Sequence, residues 1–405
     1  MTRQVLSPCD LVGPRERRVY LPAGERVRVG GRVIASKGGA LLSDAFAAVD
    51  LVTDLALSDG AHVVVEAAFA DGALKQIEVL SHLLGDAERE TLRFRDRGVA
   101  KALVDRARVC SAIRAHFERE RFVEVETPLM VPSPGLDLHL DAYRVDSLED
   151  RWLITSPEYQ MKRLLAGGVP RCFQLARCFR RGEVGGRHNP EFTMLEWYRV
   201  FAGMDAMIAD TAEVIRAAAR ALDRSEIVVD GRSIDVTAPP YRITVADAFR
   251  DLAGVGEDEM LRLARDDEDA FFGRLVEDIE PVLAKHAVPV VLHRYPKEMA
   301  SLARLAEDDP RYAERFEVYV GGIELSNGFV ELTNAAEQRE RLERDQRDRA
   351  GRGLPVYPID ERFLEALEEG MPPASGNALG LDRLLMLVTG RSAIGDVLAF
   401  PAAEL

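Results

Sequence analysis

Cysteine is scarce. There are four in 405 residues, at positions 9, 110, 172 and 178, and none falls in a CxxC pair. That spacing argues against a zinc knuckle and a redox dithiol, and the four read as ordinary reduced thiols. Long apolar runs are missing too: no uninterrupted hydrophobic stretch approaches the roughly 20 residues a bilayer-spanning helix requires. With 47% hydrophobic and 30% charged residues, the composition is that of a soluble globular chain. Met1 to Val5 lack the basic-then-apolar layout of a secretion signal, so the cytoplasm is the expected location. Positive charge is in deficit. A formal net charge of −15 weakens any picture of extended nucleic-acid binding, which draws its affinity from clustered Lys and Arg, and leaves room only for a local basic site. Neither glycine motif of the parallel-sheet nucleotide folds occurs: there is no GxxxxGKS/T, and no GxGxxG follows a buried strand. Internal repeats and low-complexity tracts are absent as well.

The length fits two domains better than one core. Between about Glu25 and Leu80 short alternating strand patterns run over residues 26–34, 61–67 and 76–80, punctuated by Ser58-Asp59-Gly60 and Ala70-Asp71-Gly72. They predict a small OB-like β-barrel over residues 1–85. Basic residues there, such as Arg26, Arg28 and Arg32, are nearly matched by acidic ones, and with few aromatics the barrel is a poor base-stacking platform. A charged helical linker is expected over 86–100, and a catalytic domain over 101–405. That domain opens with a helix from Lys101 to Glu118, whose apolar residues recur at helical spacing. A strand from Phe122 to Pro128 follows, and a mostly helical insertion is expected at about 204–284.

Three segments carry chemistry. Cys178 to Tyr198 reads as a strand, a glycine-loosened loop with Arg180, Arg181, Arg187 and His188, and a second strand. In an acidic protein such a local cluster of guanidinium groups suits phosphate oxygens; a solvated hairpin tip is the plainer alternative. Glu317 to Glu331 contains Gly321-Gly322, a two-residue hairpin signal. Pairing from that turn sets Val320 against Ile323, Tyr319 against Glu324 and Glu317 against Ser326. Glu317 and Glu324 then share a face as diagonal neighbours about 7–8 Å apart, close enough to hold Mg²⁺ jointly with nucleotide phosphates. Ser375 to Met386 is a glycine-rich strand running into an apolar helix with Arg383 at its start. If ATP is bound, an antiparallel scaffold with arginine clamps must hold it.

Taken in order, these segments resemble the three signature motifs of class II aminoacyl-tRNA synthetases: the strand ending Thr127-Pro128, the loop from Phe179-Arg180 to His188-Asn189-Pro190-Glu191-Phe192, and the glycine-rich strand leading to Asp382-Arg383. The resemblance runs from about Lys101 to the C-terminus. Thr155-Ser156-Pro157-Glu158, Arg315-Phe316-Glu317 and Glu324-Leu325-Ser326-Asn327-Gly328-Phe329 look like the lysyl branch. Trp152 to Leu164 and Glu191 to Arg199 are most similar to the elongation factor P (R)-β-lysine ligase family, paralogues of lysyl-tRNA synthetase. The implied fold class is α+β, an antiparallel sheet flanked by helices, in a homodimer.

The resemblance also implies roles. Arg180 and Arg383 would be catalytic, Arg180 at the α-phosphate and the substrate carboxylate and Arg383 at the γ-phosphate. Glu183, His188, Asn189, Phe192 and Glu317 would complete the ATP site, with Phe192 stacked on adenine. Glu317 and Glu324 would hold Mg²⁺. Ser156, Glu158, Arg180, Glu196, Tyr198, Asn327, Phe329, Glu331 and Ala378 would surround the amino acid, and a dicationic substrate such as lysine complements that many buried acids. The reaction so implied is ATP-dependent activation of lysine or β-lysine as an adenylate, followed by transfer to a lysine side chain of elongation factor P. Three alternatives stand beside it: a lysyl-tRNA synthetase with a reduced anticodon-binding domain acting on tRNA-Lys, an aminoacyl ligase for another acceptor, and an inactive synthetase-like regulatory module. Three positions depart from the family pattern. Gly182 stands where motif 2 usually has an acid, with Glu183 one place later. Arg121 replaces a common glycine in motif 1. At Ala378, tRNA-charging lysyl enzymes usually have glycine, and one added methyl in a tight pocket shifts substrate preference by about 1–3 kcal/mol.

Overall fold

The computed structural model describes residues 4–13, 15, 18–22, 25–36, 39–83, 90 and 92–405. The chain divides into two compact units, Met1–Val104 and Asp105–Leu405. Residues 86–89 and 91 of the expected linker lie outside the described residues; its described part holds a helical turn at Leu92–Asp96 and the start of the long helix Val99–Arg119.

In the first unit, β1 (Val5–Leu6), β2 (Arg26–Ser36), β3 (Gly39–Ser43), β4 (Ala48–Leu51), β5 (His62–Ala70) and β6 (Ala73–Leu83) form one sheet in the order β1-β2-β3-β4-β6-β5. A further β2–β5 pairing closes it into an OB-like barrel. One strand serves both neighbours by bending. Residues 26–32 of β2 pair with β5 and residues 32–36 with β3, and Gly30-Gly31 precede the changeover. A Cβ on Gly31 would stand 2.9 Å from the Ser43 carbonyl oxygen, so the close backbone approach at this corner requires glycine. Alternate residues point inward, and Val29, Leu42, Val65 and Leu74 are fully buried.

The second unit is built on eight strands: β7 (Val123–Glu124), β11 (Arg171–Phe179), β12 (Glu191–Val200), β15 (Tyr241–Thr244), β16 (Val290–Pro296), β17 (Tyr312–Val320), β18 (Ile323–Val330) and β19 (Ala374–Gly380). Their order is β15-β16-β17-β18-β19-β12-β11-β7. The middle is antiparallel, and only the edge pairs β15–β16 and β7–β11 are parallel. A small sheet of β8 (Met130–Val131), β9 (Arg144–Val145) and β10 (Arg151–Leu153) stands apart. Segment 204–284 contains helix Met204–Ala221, the hairpin of β13 (Glu226–Val229) and β14 (Arg232–Asp235), strand β15 and a run of short helices.

One face of the large sheet is covered by Met204–Ala221, Leu381–Thr389 and the Val109, Ile113 and Phe117 side of the long helix. Trp197, Phe173, Leu195 and Val318 are buried beneath them, and Phe117 stacks on Phe173 with ring centroids 4.6 Å apart. The opposite face carries the site. Just past the long helix, Arg121 holds φ +62°. This is the left-handed region that favours glycine, at the position where the resembled family usually has one.

The expected hairpin register is corrected by one residue. Val320 pairs with Ile323 and Tyr319 with Glu324, but a bulge between Val318 and Tyr319 then sets Val318 against Ser326 and Glu317 against Asn327. The two glycines of the turn both have positive φ, as a tight two-residue hairpin requires.

Candidate active site

The floor of the site is made by β18, β19 and β12, adjacent in the sheet. Alternation along β12 sends Leu195 and Trp197 into the helical core and leaves Phe192, Met194, Glu196 and Tyr198 on the other face. Two neighbouring cavities lie on that face. They share Asp137, Leu140, Arg180, Met194, Asn327 and Ala378 as common wall.

The first cavity is acidic. It brings together all nine residues expected around an amino acid: Ser156 and Glu158 from the start of helix Glu158–Ala166, Glu196 and Tyr198 from β12, Asn327 and Phe329 from β18, Glu331 just beyond it, Ala378 from β19, and Arg180. Glu196 is buried. The Ser156 hydroxyl donates to its Oε1 at 2.5 Å and the Tyr198 hydroxyl to its Oε2 at 3.0 Å. Burial, with the Glu158 carboxylate nearby, still pushes Glu196 up to about 8, because two hydroxyl donors do not replace bulk water. Glu331 is likewise pushed up to about 8, first by burial. A glycine at 376 is required here: a Cβ would lie 2.3 Å from the Tyr198 ring and 2.8 Å from Glu331 Oε1.

The second cavity is rich in arginine. Arg180, Glu183, Arg187, His188, Asn189, Phe192, Glu317, Glu324 and Arg383 all border it. The Arg180 guanidinium lies 5.1 Å from the centroid of the Phe192 ring and 3.6 Å from Glu183. Arg383 Nη2 is 2.6 Å from His188 Nε2, and its Nη1 donates to the Glu324 carbonyl at 3.0 Å. Burial, then the Arg383 charge, lowers the His188 pKa. Arg383 is aimed by its neighbour in sequence: buried Asp382 accepts from the Thr193 backbone N–H at 2.6 Å and pairs with Arg106. Asn189 is buried, and its side chain joins two segments, donating to the Glu191 carbonyl at 2.6 Å and accepting from Ala402 N at 2.9 Å.

Glu317 and Glu324 do share a face despite the bulge. The Tyr295 and Tyr319 hydroxyls donate to Glu317 Oε2 at 2.5 and 2.7 Å, and Arg315 Nη2 donates to its Oε1 at 2.7 Å. Burial, and next the Glu317 charge, pushes Glu324 up to about 7. Among the described residues no group of three or more His, Cys, Asp or Glu is arranged to hold a metal. The pair nonetheless fits Mg²⁺. Two acids that repel each other, Glu317 buried and Glu324 half-exposed at the cavity, are what a hard cation relieves, and Mg²⁺ commonly takes only one or two carboxylates, completing its shell with water and phosphate oxygens.

Several residues here escape sequence reasoning. Lys162, fully buried, ion-pairs with Glu158 at 2.7 Å and Glu331 at 2.5 Å; its spacing of four from Glu158 on one helix was the available signal. Asp269 and Phe272 of the 204–284 segment line the arginine-rich cavity. Asp137 and Leu140 sit in a loop held by buried Arg349, which donates to both their carbonyls and to Asp141. For Tyr295, more than 20 residues before its partner Glu317, no local pattern exists.

Residues 86–404 match the family model described as tRNA synthetases class II (D, K and N). Among the described residues no helix is long and apolar enough to cross a membrane. Antiparallel floor, arginine-rich cavity and sequence match converge: the chain belongs to the class II tRNA synthetase family of the D, K and N type.

Proposed function

We propose that this protein activates lysine or β-lysine with ATP and Mg²⁺ and passes the acyl group to a lysine side chain of elongation factor P. The observation that carries the substrate half is the acidic cavity, lined by Asp137, Glu158, Glu196, Glu331 and Asp345 against Arg180, with Lys162 paired behind it to Glu158 and Glu331. Buried carboxylates in excess of their counter-ions favour a ligand bearing ammonium groups. Arg180 lies on the wall common to both cavities, which supports a role in meeting a carboxylate from one side and a phosphate from the other.

No protein nucleophile is required. The substrate carboxylate oxygen attacks the α-phosphorus of ATP, the bond to the β-phosphate oxygen breaks, and pyrophosphate leaves. Catalysis then consists of alignment and of neutralising the charge that develops. In this reading Arg180 and Arg383 bind the phosphates, His188 meets the outer ones, Phe192 stacks on adenine, and Glu183 and Asn189 border the nucleotide. Glu317 and Glu324 would hold Mg²⁺, which supplies charge neutralisation at the leaving pyrophosphate.

The acceptor rests on the similarity of residues 152–164 and 191–199 to the elongation factor P ligases, on Ala378, and on a barrel poor in basic excess and aromatics. Exchange of labelled pyrophosphate into ATP across the amino acids tests activation, and it should depend on lysine or β-lysine. Offering the charged enzyme both tRNA-Lys and elongation factor P tests the acceptor. Acylation of the tRNA alone would replace this reading with that of a tRNA-charging enzyme.

A further inference from the structure

The acidic cavity contains a charge that is not left over for a ligand. Lys162 is fully buried. Its Nζ lies 2.7 Å from Glu158 Oε1 and 2.5 Å from Glu331 Oε2. The Phe329 and Phe363 rings flank it, with centroids 5.0 and 5.9 Å from Nζ. Although burial opposes the charged form, the two carboxylates raise its pKa, so it stays an ammonium. Glu196, the third acid, is held by the Ser156 and Tyr198 hydroxyls, and among the described residues it forms no ion pair, Lys162 being the cation that acts on it. Once an incoming ammonium ligand ionises them, the three acids of this cluster carry two negative charges beyond Lys162, while Asp137, Asp345 and Arg180 line the rest of the cavity wall.

We propose that Lys162 is an internal counter-ion that sets the charge of this cage, and thereby the number of ammonium groups the enzyme demands of its substrate. It is a positioning residue. It acts through Glu158 and Glu331, holding both carboxylates in place between substrates, and takes no part in the chemical step. The inference rests on the proposed activation of a diamino acid and adds to it a rule: the count of carboxylates minus the fixed ammonium equals the count of substrate ammonium groups. Lysine and β-lysine carry two, and an isostere ending in a methyl group carries one. The rule makes the effect of a mutation at Lys162 depend on what else is in the cage, which a purely structural lysine would not do.

The experiment measures kcat and KM for pyrophosphate exchange with lysine or β-lysine and with the methyl-ended isostere. It compares wild type, Glu331→Gln, Lys162→Met and the double variant Lys162→Met/Glu331→Gln. A site built to pair a polar group rejects the analogue lacking it by about 10⁴-fold. Glu331→Gln leaves one net charge and should lose at least tenfold of that discrimination. Removing Lys162 as well restores two, so the double variant should regain at least tenfold over Glu331→Gln, mainly in KM. It should also melt above Lys162→Met, in which the buried Glu331 and half-buried Glu158 carboxylates lack their partner. Glu158→Gln combined with Lys162→Met makes the same charge count through the other partner and serves if the first pair does not fold. Double variants that fold but discriminate no better than the single glutamine variant overturn the inference while leaving the proposed function standing. Absence of exchange by the wild type with any amino acid overturns both.

Discussion

Arg383, at the start of the helix after β19, and His188, in the loop between β11 and β12, meet with Nη2 2.6 Å from Nε2. The imidazole accepts from the guanidinium, so one proposed phosphate-binding side chain holds another in register before any ligand arrives. His188→Ala should therefore raise KM for ATP by about tenfold with a smaller effect on kcat. Arg383→Ala should cut exchange by about 10²–10³-fold, as loss of a transition-state charge donor does. Steady-state exchange kinetics at varied ATP separate the two, and equal effects on kcat and KM in both variants would contradict this division.

Glu324→Gln keeps the shape of the side chain and removes the charge repelled by Glu317. Exchange should fall below detection while far-UV circular dichroism is unchanged, and chelation should stop the wild type reversibly. A variant that still exchanges at neutral pH refutes the metal role.

Arg349 is fully buried and satisfies the carbonyls of Asp137, Leu140 and Pro355 together with the Asp141 carboxylate. Its replacement by methionine strands one carboxylate and three carbonyls. The expected loss is about 3–5 kcal/mol, read as a drop in denaturation midpoint, together with a higher KM for the amino acid, because the loop it holds lines both cavities.

His293 on β16 is half-buried, with Arg242 and Arg294 nearby, and burial first, then those charges, lower it from 6.5 to about 4. Its folded pKa is below its unfolded one, so the unfolded chain binds the proton first and acid favours unfolding between pH 6.5 and 4. His293→Gln should gain stability relative to wild type as pH falls through that window and show no such trend above pH 7. Thermal melts of both proteins at stepped pH give the comparison.

Arg121 adopts a left-handed conformation at φ +62°. Arg121→Gly removes the steric penalty but adds freedom to the unfolded chain, so the net gain should be small, about 0.5–1 kcal/mol. A lower melting temperature in that variant would show that the arginine side chain contributes more than its backbone forfeits.

The motif segments were legible because their chemistry is local. The arginine-rich loop from Arg180 to His188, the alternation of β12 and the Gly321-Gly322 turn each declare themselves within a dozen residues. The Glu317 to Asn327 register was not, because a bulge is set by the packing of neighbouring strands rather than by the turn that begins the hairpin. Lys162 was hidden for a different reason: a lysine in an amphipathic helix ordinarily belongs to the solvated face, and only the placement of Glu331, 169 positions later, makes burial tolerable. Tyr295, Asp269 and Phe272 reach the site through tertiary contacts whose sequence separation leaves no period to read.

The wall common to the two cavities has a thermodynamic corollary. Six residues, Arg180 and Asn327 among them, face both spaces, so whatever settles in one changes the surface offered by the other. Two ligands bound across such a partition are linked, and each must alter the other's affinity by the same factor. The order in which they arrive then affects the route but not the final balance, and a lesion in the partition should register as lost synergy even where each ligand alone still binds.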